Sequence, residues 1–156
     1  MHTSVRSWLS TIGLGFLAVV LLTGCGGPPP PVTLTITGND TMKYDKTQLT
    51  CKAGQQVTLE LTNIGKMPKE SMAHDWVLLK SGTDEKAFTM DALQAKDTDY
   101  IPTKDAGQIL AHTGLAGPGE KVTITFTAPK ETGTYPYVCT FPGHYLAGMK
   151  GVLVVQ

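Results

Sequence analysis

A thiol, an imidazole and a thioether stand within one short segment of this chain, Cys139-Thr-Phe-Pro-Gly-His144-Tyr-Leu-Ala-Gly-Met149, and the runs on both sides of it read as β-strands. Soft sulfur and nitrogen donors in one loop between strands point to a transition-metal site. A second histidine, His74 in Met72-Ala73-His74-Asp75-Trp76, is available upstream to complete the set. It comes from a distant strand end, so a metal bound by both segments would staple two parts of a β-framework together.

The rest of that framework reads as short strands. Val32-Thr33-Leu34-Thr35-Ile36 alternates apolar and polar residues, as a half-buried strand does, and Gly38-Asn39-Asp40 follows as a turn. Leu49-Thr50-Cys51 and Val57 to Thr62 repeat the pattern, with Ala53-Gly54-Gln55 turning between them. Asp75 to Leu79 is more continuously apolar, and Val122 to Phe126 alternates cleanly. Tyr135 to Cys139 carries Pro136, which suggests an edge or a strand start. Lys150 to Val155 closes the chain. Many short strands with glycine and proline turns make an all-β, two-sheet sandwich. One interval departs from this. Asp84 to Lys96 is rich in helix formers, and Ala87, Met90 and Leu93, with Phe88, Ala92 and Ala95, form an apolar stripe. It reads as one short helical insertion.

The beginning of the chain is of another kind. Residues 1–24 read as a lipoprotein signal peptide: Arg6 supplies a positive n-region, and Trp8 to Leu22 form an apolar run. Leu22-Thr23-Gly24-Cys25 resembles a bacterial lipobox, which would leave Cys25 as a lipidated N-terminus. The alternative is an uncleaved transmembrane anchor. Both readings export the domain and tether it to a bacterial membrane, facing the periplasm or the cell exterior. Residues 25–31 are then the lipidated cysteine and a stiff spacer of two glycines and four prolines, and residues 32–156 the folded domain. Arg6 is the one charge before Cys25, so 12 basic residues face 13 acidic ones in the mature chain. That balance steers toward neither nucleic acid nor an anionic surface, so the membrane is met through the lipid.

An exported domain ordinarily pairs its cysteines. A Cys51–Cys139 disulfide is the alternative to a thiolate at Cys139, and it would leave the His/Met spacing around Cys139 without a purpose. Cys139 as ligand and Cys51 as a lone buried thiol is the preferred reading. Cys-x4-His lets His144 fold back over an ion, Pro142-Gly143 gives the sharp turn, and Met149 closes the loop from the axial side. Thiolate, two imidazoles and a thioether form the ligand set of a blue-copper centre and favour copper over hard cations. Zinc would accept Cys/His/His but gains little from methionine.

The domain resembles the azurins and auracyanins of the cupredoxin family, from about Leu34 to Val155. The likeness is carried by Ile36-Thr37-Gly38-Asn39-Asp40, Met72 to Leu78, Asp97-Thr98-Asp99-Tyr100, Ile109 to Thr113, Pro118-Gly119-Glu120-Lys121 and the Cys139–Met149 loop. It implies a Greek-key sandwich with one type 1 copper, held by His74, Cys139 and His144 with Met149 axial and the Ala73 carbonyl nearby. It further implies that Asp75, standing where azurins have asparagine, ties the ligand loops together through Thr140. The backbone N–H groups of Asp75 and Phe141 would hydrogen-bond the sulfur. His144 to Met149 is one residue longer than in azurins. Asn63 replaces a histidine that azurins carry near the site, and the family disulfide has no counterpart.

An electron carrier needs a route to partners. His144 is expected to be exposed at one end of the sandwich, ringed by an apolar docking patch of Met72, Leu115, Pro142, Tyr145 and Leu146, suited to brief encounters. The partners expected are redox donors and acceptors such as cytochromes or membrane complexes, met by a monomer. A copper enzyme would need a second, histidine-rich site, for which only His2 and His112 remain. A copper chaperone or storage protein is the closer alternative, but its usual Met- or His-rich clusters do not occur.

Overall fold

The computed structural model describes residues 1, 2 and 27–156. Apart from Met1 and His2, the signal-peptide segment lies outside the described residues, and so does Cys25. Among the described residues no helix is long and apolar enough to cross a membrane.

Among the described residues nine strands form two sheets: β1 (Val32–Asn39), β2 (Lys43–Tyr44), β3 (Gln48–Cys51), β4 (Gln56–Asn63), β5 (Val77–Leu79), β6 (Ile109–His112), β7 (Lys121–Thr127), β8 (Gly133–Val138) and β9 (Lys150–Val155). One sheet has the order β2-β1-β4-β7 and the other β3-β9-β8-β5-β6. β1·β4 and β3·β9 are parallel and the remaining pairs antiparallel, so the chain crosses repeatedly between the sheets.

The alternation in the sequence decides which faces meet. In β4, Val57, Leu59 and Leu61 point inward and are fully buried. They stand beside Val32, Leu34 and Ile36 of β1 and Phe126, Ile124 and Val122 of β7. Leu49, Leu78, Tyr135, Tyr137, Leu153 and Val155 fill the space from the other sheet. Fully burying each such aliphatic side chain contributes about 1.5–3 kcal/mol. The inward row of β4 ends on a polar residue, Asn63, beside the ligand segments.

β5 is buried on both faces, which explains its unbroken apolar run. Its outer face joins Val77, Leu79 and Val138 to Phe88 of helix α2 (Glu85–Ala92). Asp84 caps this helix by accepting the Ala87 N–H at 3.0 Å. The helix is shorter than its sequence pattern suggests, and its buried residues are Phe88, Thr89 and Ala92. Ala87 and Met90 face solvent, Met90 being 50% exposed. Over its roughly two turns the helix turns Phe88, Thr89 and Ala92 inward, a face rotated from the expected stripe.

Other boundaries differ from expectation. Gly38 and Asn39 extend β1 instead of turning, and the turn falls at Asp40–Met42. The Asp75 strand begins only at Val77. Pro136 lies in an interior strand, β8, opposite Val152 of β9. The proline is tolerated because the ladder between β8 and β5 stops at Tyr137 opposite Leu78, so β5 needs no N–H from position 136. Two further one-turn helices appear, α1 (Lys69–Met72) and α3 (His144–Ala147), with 3₁₀ turns at Lys96–Thr98 and Thr103–Gln108.

Candidate metal centre

β4, β5 and β8 end at the same edge of the sandwich and deliver the donors there. His74 stands three residues before the start of β5 and is locked by a two-way backbone bridge: its N–H donates to the Ala116 carbonyl at 3.0 Å, and the Ala116 N–H returns to its carbonyl at 2.7 Å. Asn63 supports this segment from beneath. Its Nδ2 donates to the carbonyls of Met72 and Ala116 at 3.2 and 3.1 Å, while its Oδ1 accepts the Gly65 N–H at 2.9 Å. Cys139 follows the last residue of β8. The chain then reverses at Gly143, whose φ of 84° suits glycine, and α3 begins at His144.

One buried cluster of three donors results. His74 Nδ1 and His144 Nδ1 are 3.2 Å apart, His144 Nδ1 is 3.4 Å from Cys139 Sγ, and the donor atoms of the three residues lie within 4.8 Å of one another. These separations suit donors sharing a first-row ion at the distances known for zinc, about 2.0–2.1 Å from nitrogen and 2.3 Å from sulfur. Met149 is fully buried, and its backbone is fixed by Cys139 N–H to Met149 O at 3.1 Å and Met149 N–H to His144 O at 2.9 Å. Its methyl group lies against Gly38, where a Cβ would stand 2.8 Å from Met149 Cε and 2.7 Å from His74 Cδ2. A glycine at 38 thus makes room for two donor side chains at once. Gly38 was part of a familiar-looking sequence run, but its contacts are long-range and left no local signal.

Electrostatics prepare the donors. Burial lowers the His74 pKa, only partly opposed by the Asn39 carbonyl and the Asp40 charge. Burial, then the neighbouring His74, lowers His144 to about 4. Both imidazoles are therefore neutral at pH 7, as ligands must be. Burial pushes the Cys139 thiol well up and the Asp75 carboxylate adds to this, whereas the backbone N–H groups of Asp75 and Phe141 favour the thiolate. A thiol so placed becomes a thiolate when a cation replaces its proton. Cys51 and Cys139 are both buried and free, so no disulfide competes for the sulfur.

Asp75 ties the two ligand segments. Its Oδ1 accepts the Thr140 N–H at 2.8 Å and its Oδ2 accepts the Thr140 hydroxyl. The Asp75 carbonyl in turn accepts the Tyr44 hydroxyl. Burial raises the Asp75 pKa and the Thr140 hydrogen bonds lower it in part. Ala73 is buried immediately before His74.

The surface around the centre departs from expectation in one respect. His144 is not exposed: it is 1% accessible, covered by its own loop, with its ring tilted against Phe141 at 4.9 Å between ring centroids. Of the five residues expected around it, Leu146 is 71% exposed and Pro142 exposed, while Met72, Leu115 and Tyr145 are half-buried. Helix α2 and its C-cap add to this surface: Met90 and the capping Leu93 line a small crevice with Tyr145, Leu146 and Phe141 that reaches down to Cys139.

Residues 30–156 match the family of copper-binding proteins described as plastocyanin/azurin. Azurin-1 of Alcaligenes xylosoxydans xylosoxydans is 39% identical over 124 residues, covering 78% of this chain and 95% of its own. Auracyanin-A of Chloroflexus aurantiacus is 42% identical over 129 residues, covering 81% of this chain and 75% of its own. The crystal structure of dithionite-reduced auracyanin from Roseiflexus castenholzii superposes with a TM-score of 0.71 at 36% identity, covering 83% of this chain and 99% of that one. With a buried His-Cys-His cluster and a buried methionine at the same sheet edge, the chain belongs to the plastocyanin/azurin family as a blue copper protein of cupredoxin fold, with one type 1 copper as its cofactor.

Proposed function

We propose that this protein is an exported, lipid-tethered electron carrier, with His74, Cys139 and His144 as equatorial ligands and Met149 as the axial one. Bound copper would supply one-electron chemistry between Cu(II) and Cu(I). The chain's residues supply a frame that does not rearrange. The observation that carries the reading is that the three donors are already gathered and closed off, each no more than 1% exposed. Loss or gain of one electron then requires little movement of the protein. A chaperone or storage protein must pass its metal on, and buried donors behind a hydrogen-bonded loop oppose that.

Attachment rests on the lipobox ending at Cys25 and places the domain outside the cytoplasm on a Gly/Pro spacer. Donors and acceptors are redox proteins that meet a monomer at the apolar surface of Met72, Leu115, Pro142, Tyr145 and Leu146. The test is a pair of single variants, Leu146→Glu and Leu115→Glu, in the copper-loaded protein. Electron exchange with a protein partner should slow by about tenfold or more in Leu146→Glu, since a charge must be desolvated on docking, while the visible spectrum stays that of the parent. Unchanged exchange in both variants rejects the patch.

Asp75 is proposed to hold the potential down. An ionised carboxylate beside the centre favours the more positive Cu(II) state. Asp75→Asn keeps an acceptor for Thr140 and removes the charge, so the potential should rise by on the order of 60 mV, a tenfold shift for a one-electron couple. In the parent the potential should also rise on acidification, as the carboxyl takes up a proton, and this slope should flatten in Asp75→Asn. Protein-film voltammetry across pH reads both, and a potential that stays level or falls in the variant refutes the role.

A further inference from the structure

The hairpin of β1 and β2 grips the axial side of the centre at two points. One is Gly38 against the Met149 methyl. The other is Lys43, paired with Asn39 in the β1·β2 register, whose Nζ donates across the molecule to the Ala147 carbonyl. Ala147 is the last residue of α3, and a one-turn helix leaves its final carbonyls without N–H donors. The carbonyls of His144 and Tyr145 are met by the Gly148 N–H, and that of His144 also by the Met149 N–H. Among the described residues no backbone N–H meets the Ala147 carbonyl, and Lys43 supplies its hydrogen bond. Gly148 opens the way for the lysine head. Its φ is 96°, and a Cβ there would lie 2.7 Å from Lys43 Nζ. A cation at this position complements the negative end of the helix as well as supplying the hydrogen bond.

We propose that Lys43 is a positioning residue for the axial ligand: by clamping the Ala147–Gly148 backbone, the two residues before Met149, it fixes where the thioether stands and keeps a positive charge beside the centre. The redox consequence rests on the copper-carrier reading; the clamp concerns only the chain's own atoms. Hydrogen bonds within the loop hold Gly148 and Met149 to its own turn, and Lys43 adds a tie from a different element, the β1–β2 hairpin.

The test compares the parent with Lys43→Met, Lys43→Arg and the control Lys46→Met, a nearby exposed lysine that donates to the Thr35 carbonyl instead. In the metal-free protein, amide hydrogen exchange at Gly148 and Met149 should speed up about tenfold in Lys43→Met, the loss expected for one charge-assisted hydrogen bond. It should return toward the parent rate in Lys43→Arg and stay unchanged in Lys46→Met. After copper loading, Lys43→Met should lower the potential and alter the ratio of the thiolate-to-copper absorption bands, whereas Lys43→Arg should not alter that ratio. Unchanged exchange at Met149 in Lys43→Met, or equal effects from Lys46→Met, would overturn the clamp. Faster exchange in a chain that gives no blue colour with copper would count against the copper reading and not against the clamp.

Discussion

Cys139→Ser is expected to abolish the intense colour of the copper-loaded protein while leaving the fold standing. The colour of a type 1 centre arises from charge transfer between a thiolate and Cu(II), and a serine hydroxyl is neither soft nor deprotonated near neutral pH. The replacement is nearly isosteric at a fully buried position. The backbone N–H groups of Asp75 and Phe141, aimed at the sulfur in the parent, can donate to the new oxygen. The metal-free variant should therefore unfold within about 1–2 kcal/mol of the parent. Optical titration and thermal unfolding, run side by side, check both halves. A variant that turns blue would remove Cys139 from the ligand set.

Gly38→Val is expected to damage stability and the axial geometry together. A Cβ alone at position 38 would come within 2.7 Å of the His74 ring and 2.8 Å of Met149 Cε. The ring has little freedom to withdraw, because the His74 backbone is bridged to Ala116 on both sides. The strand is also fixed, as Gly38 pairs with Asn63 on one side and Tyr44 on the other. Overpacking of this kind costs about 1–3 kcal/mol, which for a domain of this size lowers the melting temperature by roughly 10 °C. Met149 should be displaced from the axial position, shifting the ratio of the absorption bands. A parental melting temperature and spectrum in Gly38→Val would show that the site has slack on this side.

Some of this structure was legible in the sequence because local chemistry determined it. The alternation of Val57, Leu59 and Leu61 fixes which face of β4 is buried whatever its neighbours are. Cys139, His144 and Met149 stood out because soft donors at that spacing have few other uses, and the structure brings Cys139 and His144 together with His74. Asp75 accepts hydrogen bonds from the Thr140 N–H and hydroxyl, so the contact joins the two loops named in the sequence. The features that escaped depend on distant partners. β2 has two residues, and β6 is recognisable as a strand chiefly by pairing with β5. Pro136 argued for an edge or a strand start, but the β5·β8 ladder reaches only to the Leu78–Tyr137 pair and leaves position 136 out. The burial of His144 is local in origin but depends on how the loop folds, because Phe141 and the turn of α3 in the same segment close over it. Asn63 attracted notice only as the substitute for a histidine, whereas it bonds three loop segments at the centre of the site. Lys43 looked like any exposed lysine, and its partner lies 104 residues away.

The proposed role as a copper electron carrier rests on one buried His₂Cys centre with an axial methionine. Titrating the reduced, metal-free protein with Cu(II) while recording the visible spectrum and the electron paramagnetic resonance tests it most directly. An intense blue band is expected that saturates at one copper per chain, is bleached by a one-electron reductant and returns on reoxidation. A pale Cu(II) spectrum without the thiolate band, or a blue colour that does not return after reduction, would contradict it.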